Sequence, residues 1–153
     1  MRHQTDDSST MIIEQMKIDD YDEIHQIWSI TNGVTLRAID DSKEGIERFL
    51  IRNPNNNFIC RINENVVGGI LCGHDGRKGF IYHTVVKEKY RNKGIGKKLV
   101  ENSIKSLREE NITKIAVLIN SDNSSGTDFW KSIGFMYFDD LNYRILSLDK
   151  LNT

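Results

Sequence analysis

The chain has little sulfur, a single proline, almost no net charge and no long apolar run. Of 153 residues, two are cysteine and one is proline, and the formal net charge is −1. Cys60 and Cys72 lie on two strand-like runs joined by Asn63-Glu64-Asn65. A hairpin centred near Glu64 sets Cys60 opposite a residue near Gly68, with Cys72 roughly 13 Å further along its strand. A disulfide needs Cα atoms within about 7 Å, so the expectation is two reduced core thiols. No apolar stretch approaches the roughly 20 residues of a membrane span, which excludes a helical membrane protein. Balanced charge excludes a general nucleic-acid binder, which carries a basic face. There is no internal repeat, no linker and no low-complexity segment beyond the first ten residues, MRHQTDDSST. These are polar and lack the apolar core of a signal peptide. The expectation is a disordered tail over residues 1–10 and a cytoplasmic location. What is present, 38% hydrophobic and 28% charged residues, describes an ordinary globular domain, expected over residues 11–150.

Periodicity predicts a mixed order of elements. Residues 11–16 read as a strand. Residues 19–30 read as a helix, with Tyr21, Ile24, Ile27 and Trp28 on one stripe behind a run of acids. Ser42 is placed to cap a second helix, which must stop before Asn53-Pro54. Residues 57–62 and 66–72 form a hairpin, 80–86 a strand, 95–110 a helix, 115–119 a strand and 124–133 a short helix. Residues 135–138 and 143–148 are expected as closing strands. The link from strand 80–86 through its helix to 115–119 predicts a parallel pair in a mixed sheet with helices on both faces.

One segment is charged out of proportion. Six of the twelve residues from Lys87 to Lys98 are basic and one is acidic. They surround a glycine-containing turn that enters a helix, where free N–H groups and the positive end of the dipole bind phosphate. A P-loop fails, because position 91 is arginine and Gly96-Lys97 is followed by Lys98. A dinucleotide fingerprint fails at Leu99, where a third glycine is required. What remains is Arg91-Asn92-Lys93-Gly94-Ile95-Gly96.

That stretch resembles the acetyl-CoA signature R/Q-x-x-G-x-G/A of the GNAT acetyltransferase superfamily. The resemblance extends through HTVVKEKYRNKGIGKKLVE, similar to the family's central strand, turn and helix, and NSSGTDFWKSIGF, similar to its next element. It implies an α/β fold with a twisted mixed sheet of about seven strands, in the order β-α-α-β-β-β-α-β-α-β-β. It implies acetyl-CoA as co-substrate, held by the turn Arg91, Asn92, Lys93, Gly94, Ile95, Gly96 and Lys97, the glycines letting the backbone approach the diphosphate. It implies a pantetheine arm paired like an extra strand with Thr84, Val85 and Val86, and contacts to that arm from Asn123, whose other role is to cap the following helix. Trp130 joins this coenzyme-binding set, at the position where many members carry the tyrosine that protonates the leaving thiolate. An indole N–H cannot deliver that proton at neutral pH.

The implied reaction is direct attack of a primary amine, of a small molecule or peptide, on the thioester, with carbonyl polarisation by the Val86 N–H. Tyr137 and Tyr143 are the remaining candidate acids, and His83 is the candidate base. Thr31 to Arg37 and Asp40-Asp41 form the expected acceptor region, with Arg37, His74 and Asp75 as candidate substrate-binding residues. A metal site built from Cys72, His74 and His83 matches no zinc spacing, so no metal is expected. Seven acids against two bases in residues 1–24 would attract a cationic amine or describe a solvated surface. Closing strands in this fold often meet a second subunit, so the resemblance admits a homodimer. The alternative function is an acyl-CoA-binding sensor on the same fold with its chemistry lost.

Overall fold

The computed structural model describes residues 10–153. The expected tail lies outside the described residues except for Thr10, whose hydroxyl donates to Asn63 Oδ1 at 2.8 Å. Strand β1 spans Ile12–Gln15. A 3-10 turn, Ile18–Asp20, leads directly into helix α1, Tyr21–Ile30. Acids at Asp19, Asp20, Asp22 and Glu23 sit where the helix dipole favours them. Ile24, Ile27 and Trp28 are its buried stripe, at the spacing of one helical face. Helix α2 runs Lys43–Arg52 and is capped by Ser42, whose hydroxyl accepts from the Gly45 N–H at 3.1 Å. It ends at Asn53, immediately before the proline, as expected.

Strands β2, Phe58–Ile62, and β3, Asn65–His74, form the predicted hairpin. Its turn places Asn63 and Glu64 at positive φ. Cys60 pairs with Gly68 as the spacing required, and Cys72 pairs with Ile81 on the next strand. Strand β4, Gly79–Val86, is followed by a 3-10 turn, Glu88–Tyr90, and helix α3, Ile95–Glu109. Strand β5, Ile115–Val117, and helix α4, Ser124–Ile133, complete the elements. Among the described residues, five strands form one sheet in the order β1-β2-β3-β4-β5. The first three pairings are antiparallel, and β4 with β5 is parallel, the predicted crossover. The mixed α/β class is therefore as the sequence indicated.

The sheet separates two apolar layers. On one face α1 and α2 bury Ile24, Ile27, Trp28 and Ile46 against Ile59, Val66, Leu71 and Val85. On the other, α3 and α4 bury Leu99, Val100, Leu107 and Trp130 against Cys60, Ile70, Cys72 and Ile81. Strand β3 lies between both layers, which explains its nearly continuous apolar run. A Cβ on Gly69 would stand 2.7 Å from Ile24 Cδ1, so glycine there sets how closely α1 approaches the sheet.

The closing strands are a correction. Residues 135–148 form no strand. The alternation of apolar residues marks a segment suited to pairing but does not supply an edge to receive it, and the ladder of β5 is only three residues long. The segment carries exposed Met136, Tyr137, Leu146 and Leu148. It is fastened beyond its end by Asn152, whose Oδ1 accepts from the Ile39 and Asp40 N–H groups at 3.1 Å each. Strand β5 is also shorter than the expected 115–119.

Both thiols are free and fully buried. Burial pushes the Cys72 thiol up to about 12, against a hydrogen bond from Ser103 that lowers it, and burial also raises Cys60. A disulfide reagent at pH 8 is therefore expected to label neither cysteine in the folded protein and both in denaturant; rapid labelling of the native state would contradict this packing.

Candidate active site

The site begins where two strands part. Strands β4 and β5 pair only through Gly79 with Ile115, Phe80 with Ala116 and Ile81 with Val117. On its other edge β4 stays paired with β3 as far as Val86 opposite Gly68. The Lys87 N–H donates to the Val67 carbonyl at 2.7 Å, just past that ladder. Hydrogen bonding alternates along an antiparallel pair, so Lys87, Val85 and His83 direct their main-chain groups toward β3. Thr84 and Val86 therefore turn theirs toward the side β5 has left, about 6.8 Å apart. The Val86 carbonyl is taken by Arg91 Nε at 2.9 Å. The Thr84 Oγ1 is buried with no hydrogen-bond partner. A strand edge with free amides and an orphaned hydroxyl is chemically suited to an extended amide-bearing ligand.

The basic turn closes the end of this gap. Asn92 and Gly94 have φ of +62° and +80°. Gly94 is the N-cap of α3 and no side chain caps the helix. The first intrahelical bond runs from the Lys98 N–H to the Gly94 carbonyl at 3.1 Å, leaving the Ile95, Gly96 and Lys97 N–H groups without helical acceptors. Lys89 and Lys93 flank the Tyr90 ring at 5.4 and 5.6 Å, and Lys97 is exposed, 4.0 Å from Glu101. The helix dipole and these cations make a local positive field fit for a diphosphate. The two glycines differ in what surrounds them. No atom lies within 4 Å of a Cβ built on Gly94, so glycine is required there by its left-handed backbone. A Cβ on Gly96 would stand 3.2 Å from Phe129 Cζ, so that glycine makes room for α4.

Asn123 caps α4, accepting from the Gly126 N–H at 2.9 Å. Its amide also lies against Gly33, and Asn120 Nδ2 donates to the Gly33 carbonyl at 3.3 Å. The connection between α1 and α2 thus reaches across to the one between β5 and α4. Trp130 is a core residue, 7% exposed, set edge-on to Phe129 and Phe135 at 4.9 and 5.0 Å. Its bulk stabilises α4. Tyr137 and Tyr143 are 89% and 66% exposed on the segment after α4. Burial, and then the charge of Tyr143, push the Tyr82 phenol up.

His74 and Asp75 are not brought to the gap. His74 Nε2 pairs with the Glu110 carboxylate, at the end of α3 opposite its basic N-terminus. Sixteen residues of helical rise put these ends roughly 24 Å apart. Asp75 Oδ1 accepts from the Lys78 and Arg77 N–H groups at 2.8 Å each, and these bonds hold its carboxyl below the usual range. Both residues shape a turn. Arg37 is exposed on the connection between α1 and α2, and its N–H donates to Asp41 Oδ2 at 2.6 Å.

His83 is brought to a site. It stands on β4 just past the last residue paired with β5, beside Thr84. Its ring lies 5.0 Å from that of Trp28, and its Nε2 is 2.7 Å from Asp41 Oδ1. Its side chain is 12% exposed and that of Asp41 7%. The Asp41–His83 pairing spans 42 residues and no local pattern announces it; the only sequence signal was the position of Asp41 in the expected acceptor region.

Three comparisons bear on this arrangement. The model of the acetyltransferase (GNAT) family matches residues 21–135. Acetyltransferase SG1711 of Sodalis glossinidius is 28% identical over 125 residues, covering 82% of this chain and 87% of its own. Among solved structures, Ard1 from Thermoplasma volcanium superposes with a TM-score of 0.74 at 20% identity, covering 83% of each chain. The PaiA N-acetyltransferase from Thermoplasma acidophilum, solved with coenzyme A, gives 0.71 at 20% identity over 84% of this chain and 91% of that one.

The reading of Gly94 carries a stability test. Replacing it by valine puts a β-branched residue at positive φ, at a cost of about 1–2 kcal/mol or more, whereas asparagine tolerates that region. Thermal melts should show Gly94→Val lowered by several degrees, on the order of 2–8 °C, and Gly94→Asn nearly unchanged. Equal melting of the two variants would mean the backbone is not held left-handed.

Proposed function

Because the chain belongs to the acetyltransferase (GNAT) family, we propose that it transfers an acetyl group from acetyl-CoA to a primary amine of a small molecule or peptide, by direct attack on the thioester. The observation that carries this reading is the β4–β5 gap, edged by the Thr84 and Val86 main chain and ending at the uncapped N-terminus of α3. When bound, acetyl-CoA supplies an activated acyl group and a thiol leaving group. On this chain, the Ile95, Gly96 and Lys97 N–H groups would hold the diphosphate, with Lys93 adding charge. The free amides of Thr84 and Val86 would hold the arm and polarise the acyl carbonyl, and the Thr84 hydroxyl would gain a partner. Asn123 keeps its capping bond and has an Nδ2 group to offer on the same side.

His83 and Val85 project toward the α1–α2 layer, so the amine would approach from there, beneath the connection that holds Arg37. No tyrosine reaches the gap from α4, since Trp130 is packed in the core. An aliphatic thiol is acidic enough for its thiolate to leave without a side-chain acid and take its proton from water afterwards. The same fact favours the second reading, an acyl-CoA sensor without turnover.

Calorimetry with CoA and a thiol-release assay with acetyl-CoA over a panel of amines separate the readings. Amine-dependent release supports the enzyme; tight binding with no release from any amine supports the sensor; no binding contradicts both. Gly94→Glu and Gly94→Gln strain the turn equally and differ only in charge. The glutamate variant is expected to bind CoA at least about tenfold more weakly than the glutamine variant. Equal affinities would remove the diphosphate from this turn.

A further inference from the structure

We propose that Asp41 and His83 form a base pair across the α1–α2 layer, in which Asp41 is a positioning residue that holds His83 with Nδ1 unprotonated and ready to take the acceptor's proton. The inference rests on the acyl-transfer reading for its chemistry but not for its geometry. Asp41 Oδ1 lies 2.7 Å from His83 Nε2, and Oδ2 accepts from the Arg37 N–H at 2.6 Å. A carboxylate offers only acceptors, so the bond to His83 is satisfied when the ring proton sits on Nε2. That leaves the lone pair on Nδ1, which has no hydrogen-bond partner among the described residues. The tautomer follows from the carboxylate by the same logic that orients other histidine bases.

The pair is built, not incidental. Both side chains are nearly excluded from water. The Tyr21 hydroxyl donates to the Asp41 carbonyl at 2.6 Å, tying the residue to α1, and the Trp28 ring fixes the imidazole from the other side. Asp41 also precedes Ser42, the cap of α2, so its backbone is fixed by the helix it introduces. The ring stands two residues before Val85 and three before Val86, on the strand that edges the gap.

The chemistry balances as follows. An acceptor ammonium gives one proton to His83 Nδ1, and the imidazolium that forms faces the Asp41 carboxylate. The neutral amine nitrogen then bonds to the acyl carbon as the carbon–sulfur bond breaks. The second nitrogen proton passes through water to the departing thiolate, and His83 returns its proton to solvent. Because the carboxylate is held by the Arg37 N–H, order in the connection between α1 and α2 sets the base. An acceptor that settles that connection would also prepare its own deprotonation.

Two measurements test this. Long-range proton–nitrogen correlation spectra of the free protein at pH 8 are expected to show His83 as the Nε2–H tautomer. The Nδ1–H form in the wild type would overturn the proposal, whether or not any amine is turned over. In the thiol-release assay, His83→Gln is expected to lower kcat by about 10²–10⁴-fold, and Asp41→Asn by tenfold or more, with the KM for acetyl-CoA unchanged in both. The double variant is expected to be no slower than His83→Gln alone. Losses that multiply in the double variant, or an Asp41→Asn variant with wild-type kcat, would make the pair merely structural. A failure of CoA to bind would instead count against the acyl-transfer reading and leave the tautomer result standing.

Discussion

The structure depends on where β4 and β5 stop pairing. Three residue pairs join them, and beyond Ile81 and Val117 the parallel ladder ends. A buried strand edge is costly to leave unpaired, because its N–H and C=O groups need partners that an apolar interior does not supply. Here the cost falls on the Thr84 main chain and the Val86 N–H, on the edge that β4 presents beyond β5 and directly before the basic turn. A ligand with amides along its length restores what the missing ladder removes. The unpartnered Thr84 hydroxyl is the same statement in a side chain.

The surroundings make that gap specific. On one face, α3 begins without a side-chain cap and presents amides and positive charge. On the other, Asp41 and His83 are drawn together by the packing of α1 and α2 on β3 and β4. The two layers therefore differ in chemistry, free amides and lysines at the start of α3 and a carboxylate–imidazole pair on the other face. Asn120 and Asn123 bring the connection between α1 and α2 against the far side of the gap, so the two halves of the site touch. Neither half would keep its shape without the apolar layer beneath it: Trp130 packs edge-on against Phe129 and Phe135, and Trp28 supports His83.

Much of the fold was legible because its signals are local. The cap at Ser42, the stop before Pro54, the Asn63-Glu64 turn and the stripe of α3 each declare themselves within a few residues, and the structure keeps them. The basic turn was legible for the same reason. What was not legible is what depends on distant partners. Residues 135–148 alternate like strands but meet no edge. Gly96 offers the turn its N–H, but that its missing side chain also accommodates Phe129 from another helix is invisible in the local pattern. His74 and Asp75 seemed near the acceptor until the register of β3 and β4 put them at the far end. The Asp41–His83 pair joins a loop to a strand through packing alone, so only three dimensions reveal it.

If the open edge of β4 and the start of α3 form one continuous site, CoA engages both at once. Amide chemical-shift changes in the isotope-labelled protein during titration with CoA test it most directly. The largest shifts are expected on Thr84, Val86, Ile95, Gly96 and Lys97 together, while the amides of His74 and Asp75 stay still. Saturable shifts confined to another surface, with those five amides unmoved, would contradict it.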